Sequence, residues 1–354
     1  MRGMKTTILT AAMLLVSCAA FSRAAEPQRF YRLESALTIP SATAPNWDYL
    51  AFDSERHQLY IARRDDGILI YDTVAKQLKG VIADSVGGNA TTLVPDLDRG
   101  IVTNEDGSLT IFQLSTQKTL SRQSVGKSAD NSFYDFVTQQ LLVTMGDEGL
   151  VSFVDARSGK LNGTLHLDSE SIEGSVADGE GNFFVALRDR DKVVKINART
   201  RTLVAEFKPE NCSMPNSLAF DLANHRLLVG CRGEHPILAV LDVGGKTLSG
   251  TPIGRGNDSI VFDPATRRVY TANGLDATLV ILDQVDADSY QLSEAPTTRP
   301  YARTMALDPQ SLKVYLVCAE GTVDPGRKRK TKVASFYPNR YFMNTFTLLT
   351  YSRQ

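Results

Sequence analysis

Seven copies of one phrase fill most of the chain: an apolar run, a tight turn rich in Asp and Gly, and a second apolar run. The clearest copy is GIVTNEDGSLTIF, from Gly100 to Phe112. Aspartate landmarks precede six of the phrases, at Asp53, Asp96, Asp178, Asp221, Asp263 and Asp308. Their spacing of about 42 residues, or about twice that across a weak third copy, is typical of four-stranded propeller blades.

Each copy translates into four strands. The segment before the phrase, such as Asn216 to Asp221, is short, β-branched and aromatic, and it predicts an inner strand. The phrase supplies two more strands around a turn such as Asp106-Gly107, because Gly accepts positive φ. A polar stretch of period two, such as Lys160 to Leu167, predicts the outer strand. The predicted fold is an all-β, seven-bladed propeller with four antiparallel strands in each blade.

The two ends of the chain predict how the ring closes. The run from Asn344 to Tyr351 resembles the third strand of a blade, and no fourth strand follows it. The segment from Phe30 to Pro40 precedes the first inner strand and can supply the missing strand. Pairing the termini removes two exposed sheet edges at once. We therefore expect one domain over residues 29–354, with an irregular hairpin insertion at 320–344.

Three of the phrases carry a resemblance to a known family: Val102-Thr103-Asn104, Tyr270-Thr271-Ala272-Asn273 and Tyr60-Ile61-Ala62. With the turn and apolar strand that follow each, they resemble YVTN-type β-propeller repeats of secreted and surface proteins of bacteria and archaea. The resemblance implies a fold of the WD40/YVTN-like superfamily and says little about function, because propellers host unrelated activities. The third, fourth and seventh copies depart from it at Met145, Arg188 and Cys318.

The N-terminus predicts export. Arg2 and Lys5 precede an apolar stretch from Ile8 to Val16, which is too short to span a bilayer as a helix and fits a signal peptide over residues 1–24. Cleavage after Ala24 is favoured. A lipobox ending at Cys18 is the alternative, and it would make an outer-membrane lipoprotein of an otherwise periplasmic or secreted protein.

Charge and cysteine content narrow the classes of partner. Loss of the signal peptide leaves 36 basic against 40 acidic residues, a formal charge of −4, which argues against nucleic-acid binding. Three cysteines remain in an oxidising compartment. The register of neighbouring strands brings Cys212 close to Cys231, so either a disulfide or two thiols is compatible with the sequence. Cys318 is expected to be a buried thiol.

In a propeller, the loops entering the inner strands share one face with the turns after the second strands. This funnel face concentrates polar side chains that can hold a polar or anionic ligand, since Arg forms bidentate hydrogen bonds with carboxylate or phosphate. Ordinary turn-stabilising roles remain the alternative for each of them. The candidates are Asp48, Arg63, Arg64, Asn89, Asp130, Glu173, Arg188, Asn216, Arg232, His235, Asp258 and Arg303.

An enzymatic role finds little support in the sequence. His235 is the one histidine expected on the funnel face, whereas a transition-metal site needs three or four converging donors. A calcium site from Glu173, Asn216 and Asp258 is geometrically conceivable. No cofactor and no catalytic residue is predicted, and there is no CxxCH for covalent haem.

The last hairpin is the least regular part of the chain. A long loop between Glu320 and Asn344 replaces the short turn of the other copies. A basic run followed by aromatics suits an anionic partner, although a solvated loop covering the rim is the alternative. The candidate partner-binding residues are Arg327, Lys328, Arg329, Lys330, Lys332, Phe336, Tyr337, Arg340, Tyr341 and Phe342.

Together these features predict an exported, monomeric binding scaffold that acts through the funnel face and the insertion. The expected partner is an extracytoplasmic protein or an anionic polymer, with membrane attachment only through a lipid on Cys18. Two alternatives remain open at this point. One is a periplasmic, lactonase-like hydrolase or lyase that uses a divalent cation, and the other is an accessory subunit of a redox or quinoprotein system.

Overall fold

A computed structural model describes residues 30–330 and 335–354, apart from the side chain of Asp147. The predicted signal peptide, both of its predicted processing sites and Lys332 lie outside these residues. No helix in the described ranges is long and apolar enough to cross a membrane.

The described residues form thirty-two short strands. Strand β1 spans Tyr31–Thr38. Blade 1 contains β2 to β5: Leu50–Asp53, Gln58–Ala62, Ile68–Asp72 and Gln77–Val81. Blade 2 contains β6 to β9: Gly88–Val94, Arg99–Asn104, Ser108–Gln113 and Thr119–Ser124. Blade 3 contains β10 to β13: Ser132–Asp135, Gln140–Met145, Leu150–Asp155 and Leu161–His166. Blade 4 contains β14 to β17: Ile172–Ala177, Asn182–Leu187, Lys192–Asn197 and Thr202–Phe207.

The remaining strands complete the ring and the insertion. Blade 5 contains β18 to β21: Pro215–Asp221, Arg226–Cys231, Ile237–Asp242 and Thr247–Pro252. Blade 6 contains β22 to β25: Asn257–Asp263, Arg268–Asn273, Thr278–Gln284 and Tyr290–Glu294. Blade 7 begins with β26 and β27: Met305–Leu307 and Val314–Cys318. The insertion holds β28 to β31: Gly321–Val323, Arg329–Lys330, Ser335–Phe336 and Asn339–Tyr341. The last strand is β32, Thr347–Arg353.

The seventh blade confirms the predicted closure. Its strand order is β26, β27, β32 and β1, so the N-terminal strand supplies the outer strand of the last blade. Strand β1 pairs antiparallel with β32 from Tyr31 opposite Arg353 to Thr38 opposite Thr347. The inner strands contact one another in a closed cycle of β2, β6, β10, β14, β18, β22 and β26. The fold is therefore the seven-bladed, all-β propeller that the repeat predicts.

The repeated residues have structural roles. Asp221 is almost fully buried, and its carboxylate accepts hydrogen bonds from the backbone of Ala223 and Asn224 in the turn after the inner strand. Asn104, from the family-like pattern, donates to Ser108 and Thr110 across its own hairpin. These two signatures specify the blade, because each satisfies polar groups that folding removes from water.

The second strand of each blade is enclosed on both faces. Strand β3 and its counterparts are buried along their length, and they pack into apolar clusters that bridge neighbouring blades. Outer strands such as β9 alternate between half-buried and exposed residues. Gly107 needs its φ of +75°, and a Cβ there would lie 2.3 Å from the carbonyl oxygen of Gly126. Burial of these apolar clusters between neighbouring blades stabilises the ring.

Two turns differ from the tight turn that the repeat predicts. Short 3-10 helices span Gly146–Glu148 and Arg188–Arg190 at the corresponding places in blades 3 and 4. Each ends at a residue in the left-handed region, Gly149 and Asp191. The second of these helices places Arg188 at the start of its turn, which brings that side chain to the funnel face.

The cysteines are arranged as follows. Cys212 and Cys231 form a disulfide with an S–S distance of 2.00 Å, which ties the loop entering β18 to the end of β19. Cys318 is a free thiol with 3% of its surface exposed. Burial raises the pKa of the Cys318 thiol to about 11.

Candidate functional site

The funnel face carries a ring of charged side chains that divides into two halves. We call Arg188, Arg232 and Arg303, grouped around Asp258, the basic half. We call Asp48, Glu105, Asp130 and Glu173, grouped around Arg64, the acidic half. Each of these side chains comes from a loop entering an inner strand, from the start of that strand, or from the turn after a second strand, as the propeller topology predicts.

Asp258 is the centre of the basic half. Its Oδ1 accepts a hydrogen bond from Nη1 of Arg232 at 2.6 Å, and its Oδ2 accepts one from Nε of Arg303 at 2.7 Å. Asn216 donates to Oδ1 of Asp258 at 3.0 Å. Burial raises the pKa of Asp258, but Arg232 and Arg303 outweigh burial, so the pKa falls below its ordinary value. Asp258 is therefore an ionised anchor that holds two arginines in place.

Asn216 connects the basic half to Glu173. Its Oδ1 accepts from Nη1 of Arg232 at 3.2 Å and from Nη1 of Arg188 at 3.4 Å. Arg188 in turn pairs with Glu173 at 2.9 Å. The side chains that the sequence assigned to a possible calcium site are thus engaged with guanidinium groups. Among the described residues, no group of three or more His, Cys, Asp or Glu side chains is placed to hold a metal ion.

The acidic half has a surplus of carboxylates. Arg64 pairs with Asp48 at 2.5 Å and also with Glu105. Burial raises the pKa of Asp130 well above its ordinary value, and the neighbouring Asp48 and Glu173 carboxylates raise it further. Burial also raises the pKa of Asp48, more than its arginine partners lower it. A cavity of about 340 Å³ opens among Arg64, Asn89, Glu105, Ser128, Ala129, Asp130, Gly146, Ile172 and Glu173.

The larger cavity lies between the basic half and the insertion, and we call it the insertion cavity. It has a volume of about 730 Å³. Three arginines contribute to its lining, together with a largely apolar and aromatic set of residues from three blades and from the insertion. The lining residues are Arg188, Met214, Arg232, Gly256, Gly274, Leu275, Tyr301, Arg303, Val323, Phe336, Tyr337, Asn339 and Tyr341.

Tyr341 fixes the insertion against the propeller. Its ring lies 4.6 Å from the ring of Trp47 and 5.7 Å, edge-on, from that of Tyr301, between centroids. Trp47 is the only tryptophan of the chain and is 1% exposed. The Arg303 guanidinium stacks over its ring at 5.2 Å and donates to its carbonyl oxygen at 3.0 Å. One packed unit therefore supports both the basic half and the base of the insertion.

The insertion has more structure than the predicted loop. Strand β28 pairs with β31 and strand β29 pairs with β30, which makes a ribbon of two short hairpin segments. The backbone N–H of Phe342 donates to the carbonyl of Glu320 and closes the base of the ribbon. The basic run of Arg327, Lys328, Arg329 and Lys330 is exposed, and Lys328 lies 5.9 Å from the Tyr337 ring. Of the aromatic residues that follow, Phe336, Tyr337 and Phe342 are exposed.

One predicted funnel residue is placed elsewhere, and one lies in the predicted turn but outside the insertion cavity. Arg63 is 1% exposed, pairs with Asp66 at 2.6 Å and stacks 4.1 Å above the Phe346 ring, so it supports the packing of blade 7. Its neighbour Arg64 takes the funnel-facing position, because adjacent residues at the end of a strand point to opposite sides. His235 is exposed in the turn after β19 and does not line the insertion cavity.

Several cavity residues were missed by the sequence reasoning. Leu275 occupies in blade 6 the kind of turn that holds Arg232 in blade 5, so the same positional rule would have found it. Tyr301 lies two residues before Arg303 in the loop entering β26. Polar side chains alone do not identify such residues, because ligand cavities are lined mostly by apolar and aromatic groups.

No family model and no curated protein matches the chain, so the YVTN-type resemblance stays a prediction. Solved structures match its fold. The structure of RRP9 WD40 repeats has a TM-score of 0.72 at 9% identity, covering 92% of this chain and all of that one. A chain of the mitotic checkpoint complex has a TM-score of 0.70 at 12% identity, and the match covers 88% of this chain and 96% of that chain.

A chain of Kuenenia stuttgartiensis hydrazine synthase has a TM-score of 0.67 at 13% identity, covering 78% of this chain and 94% of that chain. At these identities the likeness concerns architecture and carries no activity across. Together with the closed ring of seven four-stranded sheets, the comparisons show that this chain has a seven-bladed β-propeller fold of the WD40-like type.

Proposed function

We propose that the protein is an exported binding scaffold whose funnel face and insertion together form one recognition surface. The observation that carries this proposal is the shared lining of the insertion cavity. Phe336, Tyr337 and Tyr341 come from the insertion, and they line the same cavity as Arg232 and Arg303 of the funnel. A recognition surface built from two parts in this way combines aromatic anchors with arginines, the residue types that dominate binding energy at interfaces.

The partner is an acidic extracytoplasmic protein or an anionic polymer. The exposed run from Arg327 to Lys330 adds positive charge to the insertion, which shares a cavity with the arginines of the basic half. Such a run attracts negatively charged partners and raises their association rate, and salt screens it because its charges are exposed. The propeller supplies the rigid support on which the loops are held.

Export rests on the sequence of residues 1–24 and is supported by the disulfide between Cys212 and Cys231, since disulfides persist in oxidising compartments. Intact-mass analysis of the mature protein from envelope fractions tests it. A mature chain beginning at Ala25 is expected. A diacylglyceryl mass on Cys18 would instead select the lipoprotein alternative, and a full-length cytoplasmic chain would contradict export.

Partner binding is tested by affinity capture from the native envelope with the mature chain as bait. A variant with Arg327, Lys328, Arg329 and Lys330 changed to Ser should lose the partner, and binding to the unaltered bait should weaken as salt rises. The matched control changes four exposed basic residues far from the funnel: Lys79, Lys118, Lys160 and Arg199. Both variants have the same net charge, so equal capture by the two would contradict the role of the insertion.

A further inference from the structure

The insertion cavity has the size and composition of a small-molecule site. Its volume of about 730 Å³ lies within the range of roughly 300–1,000 Å³ that drug-sized ligands occupy. Such sites are mostly apolar, with a few polar groups that fix the orientation of the ligand. Leu275, Tyr301 and Val323 form apolar parts of this lining, and the charged groups are arginines.

The charge of the lining has one sign. Arg188, Arg232 and Arg303 reach the cavity, whereas no Asp or Glu is among its lining residues. Their carboxylate partners, Glu173 and Asp258, belong to the ring beneath it. Asp48 of that ring also acts on the charge of Arg303, so the excess of positive charge belongs to the cavity lining alone, where an apolar setting strengthens the attraction for an anion.

Hydrogen-bond donors remain available on these arginines. Arg232 uses Nη1 for both Asp258 and Asn216, and no described residue accepts a hydrogen bond from its Nε or Nη2. The Nε of Arg188 also has no acceptor among the described residues, but it is buried, so the free donors open to a ligand are those of Arg232. Guanidinium groups bind carboxylate and phosphate through paired N–H donors, so the cavity offers an anion the geometry it favours.

The opposite wall is aromatic and accessible. Phe336 is 43% exposed and Tyr337 is 46% exposed, although large aromatic side chains are usually buried. Tyr301 and Tyr341 continue this wall toward the arginines. A ligand body placed between the arginines and these rings would remove exposed aromatic surface from water, which is favourable.

From these observations we infer that the insertion cavity binds a small amphiphilic organic anion, with a carboxylate or phosphate head at Arg188, Arg232 and Arg303 and an apolar body against the rings of the insertion. The inference rests on the proposed function in taking this face as the binding face. It adds a small ligand to the macromolecular partner.

Calorimetric titration with a matched probe series tests the inference on the mature chain. The probes are 4-phenylbutyrate, 4-phenylbutyl phosphate, neutral 4-phenylbutanol, cationic 4-phenylbutylamine and butyrate, which lacks the ring. One of the two phenyl anions, or both, should bind with one site per chain and at least tenfold more tightly than the alcohol, the amine or butyrate. The stronger of the two anions identifies the head group. Equal affinity for the anions and the alcohol, or no saturable binding of either anion, would overturn the inference.

Variants locate the site. Arg232→Gln should weaken anion binding at least tenfold and leave the alcohol unchanged, whereas Arg122→Gln, an arginine of the outer strand of blade 2, should change neither. If Arg232→Gln fails to fold, a double variant with Phe336→Ala and Tyr337→Ala replaces it. Both side chains are exposed, so we expect this variant to fold. This pair should weaken the phenyl anions about tenfold and butyrate hardly at all. Unchanged anion affinity in a folded variant of either kind would overturn the inference.

The small-ligand site and the proposed binding scaffold can be confirmed or rejected independently of each other. Saturable anion binding that depends on Arg232, with no partner lost when the basic run is changed, would retain the small-ligand site and reject the scaffold. Loss of a partner with the basic run changed, but no anion binding, would retain the scaffold and reject the small-ligand site.

Discussion

Arg303 donates from Nε to Oδ2 of Asp258 at 2.7 Å, and this contact ties the loop entering the last blade to the inner strand of the sixth. The same carboxylate holds Arg232 of the fifth blade. Three consecutive blades therefore meet at one half-buried anion beside the insertion cavity.

The first prediction concerns this anion. Asp258→Asn leaves Arg232 and Arg303 without their shared counter-charge, and we expect the free energy of unfolding to fall by about 2 kcal/mol, the cost of losing hydrogen bonds to a charged group. Urea unfolding measures the change. Asp276→Asn is the matched control, since Asp276 pairs with the exposed Arg255 and should cost less than about 1 kcal/mol. Equal losses would contradict the anchoring role.

The second prediction concerns pH. Burial, with Asp48 and Glu173 nearby, raises the pKa of folded Asp130 above its ordinary value of 3.8. The native state then binds more protons than the unfolded chain, so this group's stabilising contribution is present below pH 3.8 and is lost as pH rises through the folded pKa.

Asp130→Asn removes that titration. We expect the variant to be more stable than the unaltered protein at neutral pH, and the difference should shrink as pH falls toward the ordinary Asp pKa. Thermal unfolding midpoints across this range give the comparison. A constant difference at every pH would show that the carboxyl of Asp130 does not titrate in the way described.

The third prediction concerns closure of the ring. A mature chain that starts at Ser41 lacks β1 and leaves β32 with an unpaired edge. At about 0.5 kcal/mol for each lost hydrogen bond, the expected loss of stability is about 3 kcal/mol or more, with association through the open edge. A chain that starts at Ala25 is the control. An unchanged free energy of unfolding for the shorter chain, together with a monomeric profile in light scattering, would contradict the role of β1 in closing the ring.

The fourth prediction concerns the disulfide. Cys212 and Cys231 are 19 residues apart in sequence, and a cross-link closing a loop of that size contributes about 3 kcal/mol. Cys212→Ser combined with Cys231→Ser should lower the free energy of unfolding by about this amount and abolish its dependence on reductant. Cys318→Ala, which removes the buried free thiol, should keep that dependence. Loss of the reductant dependence in the Cys318→Ala variant would indicate that Cys318 takes part in the disulfide.

The architecture could be predicted from the sequence because several copies of the repeat indicate the same four-stranded blade. Asp221 and its counterparts mark the turn after each inner strand, and a strand missing at one end of the chain reappears at the other. The proximity of Asp258, Arg232 and Arg303 was also predictable, since it depends only on topology: loops entering inner strands and turns after second strands share one face.

Other features depend on contacts that local sequence does not encode. Arg63 and Arg64 are identical neighbours, and which of them faces the funnel is decided by the geometry at the end of β3. The placement of the insertion depends on Tyr341 packing on Trp47, almost three hundred residues away in the chain. The insertion cavity depends on that long-range contact, so no sequence motif predicts it.

In the proposed site, the basic half and the insertion bind the same ligand. Hydrogen exchange measured by mass spectrometry, with and without saturating 4-phenylbutyrate or its phosphate counterpart, tests it most directly. We expect slower exchange in two separate regions: the turns at 232–236 and 274–276, and the insertion strands Gly321–Val323 and Asn339–Tyr341. Strand β13 should be unchanged and is the internal control. Slower exchange in only one of the two regions would contradict a shared site.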